Sequence, residues 1–434
     1  MMPSSNSQKT DADRRTFVKK GLAAGSILGA VTLNSRMAHA ASGSEIRVGL
    51  IGCGGRGRGA AENAMNADTN VRIVGLADLY DSSIKACRES LSKKNVTQFT
   101  VEDDRCFVGL DSYKKLLATD IDVVLIAAPP FYRPEHFEAA VRAGKQIFCE
   151  KPIATDVVGV RRVESACKDA DSKGLNVVSG LCWRYDELML DMMKRVHDGA
   201  VGDIVTIQSN YLTNPVWSKE RKPGESEIEY QMRNWMNYVW LSGDHIVEQF
   251  IHSLDKALWL NHDVPPARAY GLGGRLTRND ETEGDIYDHF SVIYEWENGR
   301  RCFAHTRQMQ DCFNQTDDFV FGTEGKATMC KGIIEGKNPY KHSGEGVQMH
   351  QAEQNEFFKA VRGERPRINN GDYMCKSTMM AILGREACYT GKVISYDDLA
   401  KSNLDLSPAS FDAADAPKVI VRKPGQYHLD LGKS

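Results

Sequence analysis

The run Gly52-Cys53-Gly54-Gly55-Arg56-Gly57 constrains this chain more than any other segment. It follows at once on Ile46-Arg47-Val48-Gly49-Leu50-Ile51, a short, β-branched, mostly apolar run that reads as a buried strand. It leads into Gly59-Ala60-Ala61-Glu62-Asn63-Ala64, which is small and helix-prone. GxGxxG between a strand and a helix is the setting in which the motif has a mechanism. Gly52 permits the tight turn, Gly54 lets backbone approach a pyrophosphate, and Gly57 lets helix and strand pack closely. Gly55 and Arg56 open the helix, whose first N–H groups point at the anion.

Glycine-rich turns are common, so the next strand matters. Val71-Arg72-Ile73-Val74-Gly75-Leu76-Ala77 ends in Asp78, 21 residues after Gly57. Alone, Asp78 would read as a helix cap or turn residue. With the glycines it reads as the acid that meets the ribose hydroxyls of an adenosine, and its charge repels a 2′-phosphate. NAD is therefore expected in preference to NADP.

The alternation of strand and helix continues. A helix around Ser112 to Ala118 precedes the apolar strand Ile121 to Ala128, which ends at Pro129-Pro130. A helix from Pro134 to Ala143 stops at Gly144, and Gln146-Ile147-Phe148-Cys149 begins another strand. Continuous apolar runs of this kind are parallel strands buried on both faces. The expectation is an α/β chain whose residues 44–180 form a doubly wound Rossmann sheet.

Glu150-Lys151-Pro152 follows directly on that last strand, with Thr155 placed to cap the next helix. Lys151 stands at the carboxyl end of a sheet strand, where open α/β sheets bind ligands, and Pro152 restrains its backbone. The bland alternative is a solvated lysine paired with Glu150. Taken together, the early GxGxxG, the Pro-Pro after a main strand, the helix ending in Gly-Lys and above all Glu-Lys-Pro resemble the Gfo/Idh/MocA family of oxidoreductases, over roughly Ile46 to Leu399. The resemblance implies a second α+β domain, residues 181–400, with a large, open, mainly antiparallel sheet. It implies cofactor contacts at Gly52, Gly54, Gly55, Arg56, Gly57, Asp78, Pro129, Glu150, Lys151 and Arg184. Arg184-Tyr185 is similar to an Arg-aromatic pair that the family places near cofactor and substrate, and ordinary packing at a domain junction is the alternative.

Past Gly180 the strands become longer and more polar. Candidates are Asp203 to Tyr211, His289 to Trp296 and Arg301 to Arg307, the last two joined by Glu297-Asn298-Gly299, a hairpin signal. Sugars bind to aromatic faces and fixed polar groups, so Trp235 and Tyr238 are candidate substrate contacts, although aromatic clusters are more often core. A last helix near Thr378 to Thr390 packs back on the sheet. Residues 401–434 read as a tail without a signal.

From Asp244 to Asp255 the sequence reads as one helix capped by Asp244. His245, Glu248, Gln249, His252 and Asp255 fall on one side and Ile246, Val247, Phe250, Ile251 and Leu254 on the other. A solvated face usually carries Lys, Arg and several Glu, whereas this one concentrates histidines and carboxylates. It resembles the family's Asp-x-x-x-His helix, which implies His252 as the base, Glu248 in the acid's place and His245 near the substrate. A metal held by His245, Glu248 and His252 is the weaker alternative.

The first forty residues differ in kind. Arg14-Arg15 precedes the uncharged Gly21 to Leu33 and then Ala38-His39-Ala40, the order of an export signal. It resembles the twin-arginine signal, which carries folded proteins, so a periplasmic location with cleavage near Ala41 is expected. Removing it takes away six basic and two acidic residues. Lys plus Arg number 55 against 58 Asp plus Glu, which gives no basic excess for nucleic acid, and no apolar run is long enough to span a membrane. Eleven cysteines, an odd number without CxxC, read as buried apolar residues.

The expected function is hydride transfer between a carbohydrate carbon and a tightly held NAD, in a homo-oligomer. Two alternatives stand beside it. One is a glycosidase that oxidises, eliminates, hydrates and re-reduces its substrate; the other is a non-catalytic binding protein on the same fold.

Overall fold

The computed structural model describes residues 44–431 apart from 95–96 and 413–414. The twin-arginine segment therefore lies outside the described residues.

Six strands form the first sheet: β1 (Ile46–Ile51), β2 (Val71–Asp78), β3 (Cys106–Val108), β4 (Val123–Ile126), β5 (Gln146–Cys149) and β6 (Val177–Ser179). All pair in parallel, in the order β3-β2-β1-β4-β5-β6. Val123, Val124, Leu125 and Ile126 are fully buried, as strands covered on both faces must be. The connecting helices are α1 (Gly55–Ala67), α2 (Asp81–Lys94), α3 (Ser112–Leu117), α4 (Arg133–Arg142) and α5 (Val157–Ser172). The strand order reverses between β1 and β4, and the crevice at their carboxyl ends is where such sheets take ligands. One local expectation is corrected: α5 is capped by Asp156, which accepts from the Gly159 N–H at 2.7 Å, and not by Thr155. The Thr155 carbonyl instead accepts from Arg385.

After α6 (Glu187–His197) the chain enters a nine-stranded sheet. Its strands are β7 (Ile204–Thr213), β8 (Arg268–Gly274), β9 (His289–Glu295), β10 (Arg301–Gln308), β11 (Gln315–Gly322), β12 (Gly325–Thr328), β13 (Ile333–Gly336), β14 (Tyr340–Lys341) and β15 (Ile394–Ser395). Among the described residues of this sheet only β7 and β10 pair in parallel, and the other pairings are antiparallel. Alternation along β10 buries Cys302, Ala304, Thr306 and Gln308 on the helix-covered side. Between β7 and β8 lie α7 (Glu227–Arg233), α8 (Val239–Ser242), α9 (His245–Glu248) and α10 (Ile251–Leu260). Between β14 and β15 lie α11 (Met349–Arg362) and α12 (Gly371–Thr390), and α13 (Tyr396–Lys401) follows β15.

α12 packs across β8, β9, α5 and α10 and so joins the two domains. α11 packs on α1 and on the helical turn Cys182–Tyr185, burying Phe357 and Phe358. Each such side chain contributes about 1.5–3 kcal/mol. The tail is not featureless: Leu406 donates its N–H to Asp156, Phe411 reaches Phe131 and Tyr132, and Arg422 pairs with Asp285 at 2.6 Å. Among the described residues no helix is long and apolar enough to cross a membrane.

Candidate active site

The glycine loop is built as its spacing requires. Gly52 has φ +92°, and a Cβ there would meet the Ala128 backbone at 2.5 Å; one at Gly57 would strike the Gly52 carbonyl at 1.8 Å. Gly54 and Gly55 instead border open space. Asp78, at the end of β2, accepts from the Cys53 N–H at 2.7 Å through Oδ2 and from the Tyr80 N–H at 2.9 Å through Oδ1. The carboxylate thus braces the glycine loop, and burial pushes its pKa up. Open backbone over Gly54 and Gly55, a helix N-terminus and an acid at the next strand's end are the features that a dinucleotide pyrophosphate and adenosine ribose require, so these residues fit NAD.

At the end of β5, Glu150 is fully buried and paired with Arg56 Nε. Burial would raise its pKa, but Arg56, Arg133 and Lys151 outweigh that and hold it low. Arg133, also buried, donates to the Ala128 and Pro152 carbonyls at 2.8 and 2.6 Å, tying the loop after β4, where Pro129 lies, to the loop that carries Lys151.

The segment from Asp244 is not one helix. Asp244 has φ +71° and is fully buried, accepting from His245 N and Nδ1, the Tyr287 N–H and the Tyr389 hydroxyl. The Phe250 N–H then reaches back five residues to His245, and the His252 N–H bonds Gln249 at 3.3 Å instead of Glu248. The break between α9 and α10 leaves the Glu248 carbonyl outside the ladder. Lys151 Nζ takes it at 2.6 Å and also lies 3.3 Å from Glu248 Oε1. The bland pairing of Lys151 with Glu150 does not occur. A lysine of one domain is held by the other, with both side chains mostly buried.

His252, one turn into the next helix, is half-buried, and its Nδ1 has no partner among the described residues. Burial first, then Lys151, Lys256, His350 and Arg56, drives its pKa well down, so the ring is neutral. His245 is not at the substrate face: it is buried against Phe290, ring centroids 5.0 Å apart. Among the described residues no three His, Cys, Asp or Glu side chains form a set able to hold a metal, so His245, Glu248 and His252 do not converge on an ion.

Four other expected contacts, Arg184, Tyr185, Trp235 and Tyr238, have partners within the protein. Arg184 donates to Asp255 and Asp263 and lies over the rings of Trp259 and Tyr373, its side chain 8% exposed and its guanidinium engaged at the domain junction. Tyr238 is buried in an aromatic cluster with Tyr230 and Trp240, against which Trp235 packs. It also lines a cavity of about 900 Å³ with Arg221, Arg275 and Arg278, which does not include Lys151, Glu248 or His252. The Tyr185 hydroxyl donates to Asn370 at 2.9 Å beside α11.

Sequence reasoning missed Arg133, His350 and Glu353. Glu353 is fully buried, with Oε1 3.7 Å from Arg56 Nη2 and 3.5 Å from His350 Nδ1. The first turn of α11 thereby adjoins the cofactor crevice from almost 300 residues downstream, and no local motif announces it.

A Rossmann domain with a glycine-loop crevice, facing an α+β domain that grips the lysine at its edge, is the architecture of an NAD(P)-dependent oxidoreductase. Residues 46–178 match the oxidoreductase family with NAD-binding Rossmann fold, GFO_IDH_MocA, and residues 189–328 match the GFO/IDH/MocA C-terminal domain. The chain belongs to this family. An inositol 2-dehydrogenase of Rhizobium meliloti is 26% identical over 283 residues, 64% of this chain and 74% of that protein. A glycosyl hydrolase family 109 protein of Phocaeicola vulgatus is 25% identical over 197 residues, 44% of this chain and 36% of its own. The aldose-aldose oxidoreductase of Caulobacter crescentus shares the fold, with a TM-score of 0.63 at 18% identity over 81% of this chain and 99% of that one.

Proposed function

We propose that the protein is an exported enzyme that transfers a hydride between a ring hydroxyl or keto carbon of a carbohydrate or cyclitol and a retained NAD. The observation that carries this reading is the grip of Glu248 on Lys151 at the carboxyl edge of the Rossmann sheet. NAD, when bound, supplies the hydride acceptor; the protein supplies orientation and proton handling. Two of the three ammonium N–H groups of Lys151 face Glu248, which leaves the third for a substrate hydroxyl, whose acidity it raises. His252, neutral, accepts the hydroxyl proton, and Glu248 keeps the lysine aimed. The similarity to inositol 2-dehydrogenases supports a polyol as substrate. Asp78 favours NAD over NADP, and Arg14-Arg15 supports export of the folded, loaded protein to the periplasm.

The test is mass spectrometry of the purified native protein for a co-purifying dinucleotide, followed by absorbance at 340 nm on adding polyols. Lys151→Met should keep the cofactor and lose at least a hundredfold in turnover, within the usual reach of proton-transfer catalysis. A loss under tenfold returns Lys151 to a structural role. Arg14→Lys with Arg15→Lys should retain the protein in the cytoplasm, and unchanged export refutes the leader. The similarity to a family 109 glycosyl hydrolase supports a second reading, transient oxidation, elimination, hydration and re-reduction. A keto product indicates the dehydrogenase, whereas a free sugar without net redox change indicates the hydrolase.

A further inference from the structure

Arg184 and Arg385 bury their charges against carboxylates, Asp255 and Asp263 for the first and Glu386 for the second. Arg278 does not. It is 4% exposed, and its guanidinium meets two neutral amides: Nη1 donates to Asn237 Oδ1 at 3.2 Å and Nη2 to Gln308 Oε1 at 2.6 Å. Both amides are fixed from behind. The Asn237 amide nitrogen donates to the Trp217 carbonyl at 3.1 Å and to Asn234 Oδ1 at 3.0 Å, and that of Gln308 donates to Gln249 Oε1 at 2.6 Å. Their oxygens therefore face the arginine and hold the guanidinium in one orientation. Of its five N–H donors the amides take two. Nε is buried and has no partner among the described residues, and no carboxylate among them forms an ion pair with Arg278. Burial pulls its pKa down, and Asp244, Glu283 and Asp288 recover only part of the loss. A buried charge without a counter-charge is strongly destabilising.

Arg278 lines the cavity of about 900 Å³ described above, and so does Arg275. Arg275 is half-buried and donates to main-chain oxygens alone, from Nε to the Arg278 carbonyl at 2.9 Å and from Nη1 to the Gly284 carbonyl at 2.7 Å. The acids of the cavity are engaged or at its rim: Glu227 holds Arg221, Asp280 accepts from the Thr282 N–H and hydroxyl, and Glu220 is exposed. Two guanidiniums without a paired carboxylate thus border one space. Tyr230, Val419 and Val421 give it apolar wall. Its volume is that of a pocket for an organic ligand and far exceeds the needs of a lone inorganic anion.

We propose that this cavity binds an acidic sugar, carboxylate- or phosphate-bearing, whose anionic group pairs with Arg275 and Arg278. A guanidinium fork matches either group. The sugar part of the ligand rests on the carbohydrate reading above, and the anionic part rests on the arginines alone. The cavity stands apart from Lys151, Glu248 and His252, yet it is wired to them. Arg278 bonds Gln308, Gln308 bonds Gln249, and the Gln249 carbonyl accepts the His252 N–H at 3.3 Å. An acid seated on Arg278 is two side-chain hydrogen bonds away from the helix break that frees the Glu248 carbonyl.

The experiment is calorimetric titration of the NAD-loaded protein with glucuronate, glucose 6-phosphate, glucose, acetate and inorganic phosphate, and it needs no turnover. One of the two acidic sugars should bind at least about tenfold more tightly than glucose and than its own free anion, acetate or phosphate. Arg275→Gln forfeits only bonds to main-chain carbonyls, so it should melt as wild type does, weaken that acid by about tenfold or more and leave glucose affinity unchanged. Arg278→Gln should weaken the acid further. Neither acidic sugar binding more tightly than glucose overturns the site, and so does an acid affinity in Arg275→Gln within about threefold of wild type. Acetate or phosphate matching the acidic sugar overturns the sugar part of the ligand. Failure of the hydride reading shows separately, as no change at 340 nm with any polyol while the acid still binds.

Discussion

Asp78→Asn separates two jobs held by one carboxylate. In the protein Oδ2 accepts the Cys53 N–H at 2.7 Å and Oδ1 the Tyr80 N–H at 2.9 Å, so part of any effect is on the glycine loop and is common to both dinucleotides. The asparagine keeps one acceptor oxygen and removes the charge. For NAD, the loss is a charge-assisted hydrogen bond to ribose, about 1.5–3 kcal/mol. At about 1.4 kcal/mol per decade this is roughly a 10- to 150-fold rise in Kd. For NADP the same change removes a repulsion from the 2′-phosphate, so the loop loss is offset. The ratio of the two dissociation constants should therefore shift at least tenfold toward NADP, measured by calorimetric titration of cofactor-stripped protein. Because burial raises the Asp78 pKa, wild-type NAD affinity should also begin to fall, on acidification, above the range of an ordinary aspartate, a step missing from the variant. Equal losses for both dinucleotides would mean that Asp78 braces the loop and nothing more.

Lys256 and Asp318 form an ion pair in which both side chains are fully buried, and the ammonium lies 4.4 Å from the centre of the Trp183 ring. Asp318→Asn strands that charge and should cost about 3–5 kcal/mol in urea unfolding, most of it recovered by adding Lys256→Met; a loss under about 1 kcal/mol refutes the assignment. Glu225 is held down at about 2 chiefly by its hydrogen bonds from Arg233, at 2.6 Å to each oxygen. A depressed carboxylate stabilises the fold fully above its unfolded value of 4.5 and stops doing so as pH falls toward 2. The Tm difference between wild type and Glu225→Gln should therefore close across that window, and a constant difference down to pH 2 contradicts it.

The Rossmann half was legible because its signals are local: a glycine loop between strand and helix, an acid at a fixed distance, apolar runs at regular intervals. The strands at 204–213, 289–295 and 301–308 were legible for the same reason. The break between α9 and α10 was not. Ile246, Val247, Phe250, Ile251 and Leu254 keep helical spacing straight through it and no Gly or Pro marks it, while Asp244, which opens the segment, is tied to distant Tyr287 and Tyr389. Arg184 misled for a similar reason: its partners Asp255 and Asp263 lie about 70 to 80 residues away. Trp235 and Tyr238 looked like a sugar platform because composition does not distinguish a platform from a satellite core.

Lys151 is held at 2.6 Å by a main-chain oxygen. A carbonyl is supplied by whatever residue occupies the position, so the aim of the lysine is uncoupled from the identity of side chain 248. The acid can be shortened, lengthened or made an amide while the 2.6 Å anchor persists. What the anchor cannot survive is repair of the helix: a sequence change that lets the His252 N–H reclaim its partner four residues back would leave every candidate catalytic side chain in the chain and still release the lysine. The aim of the lysine is thus robust to changes of side chain 248 and fragile to an improvement in the secondary structure around it.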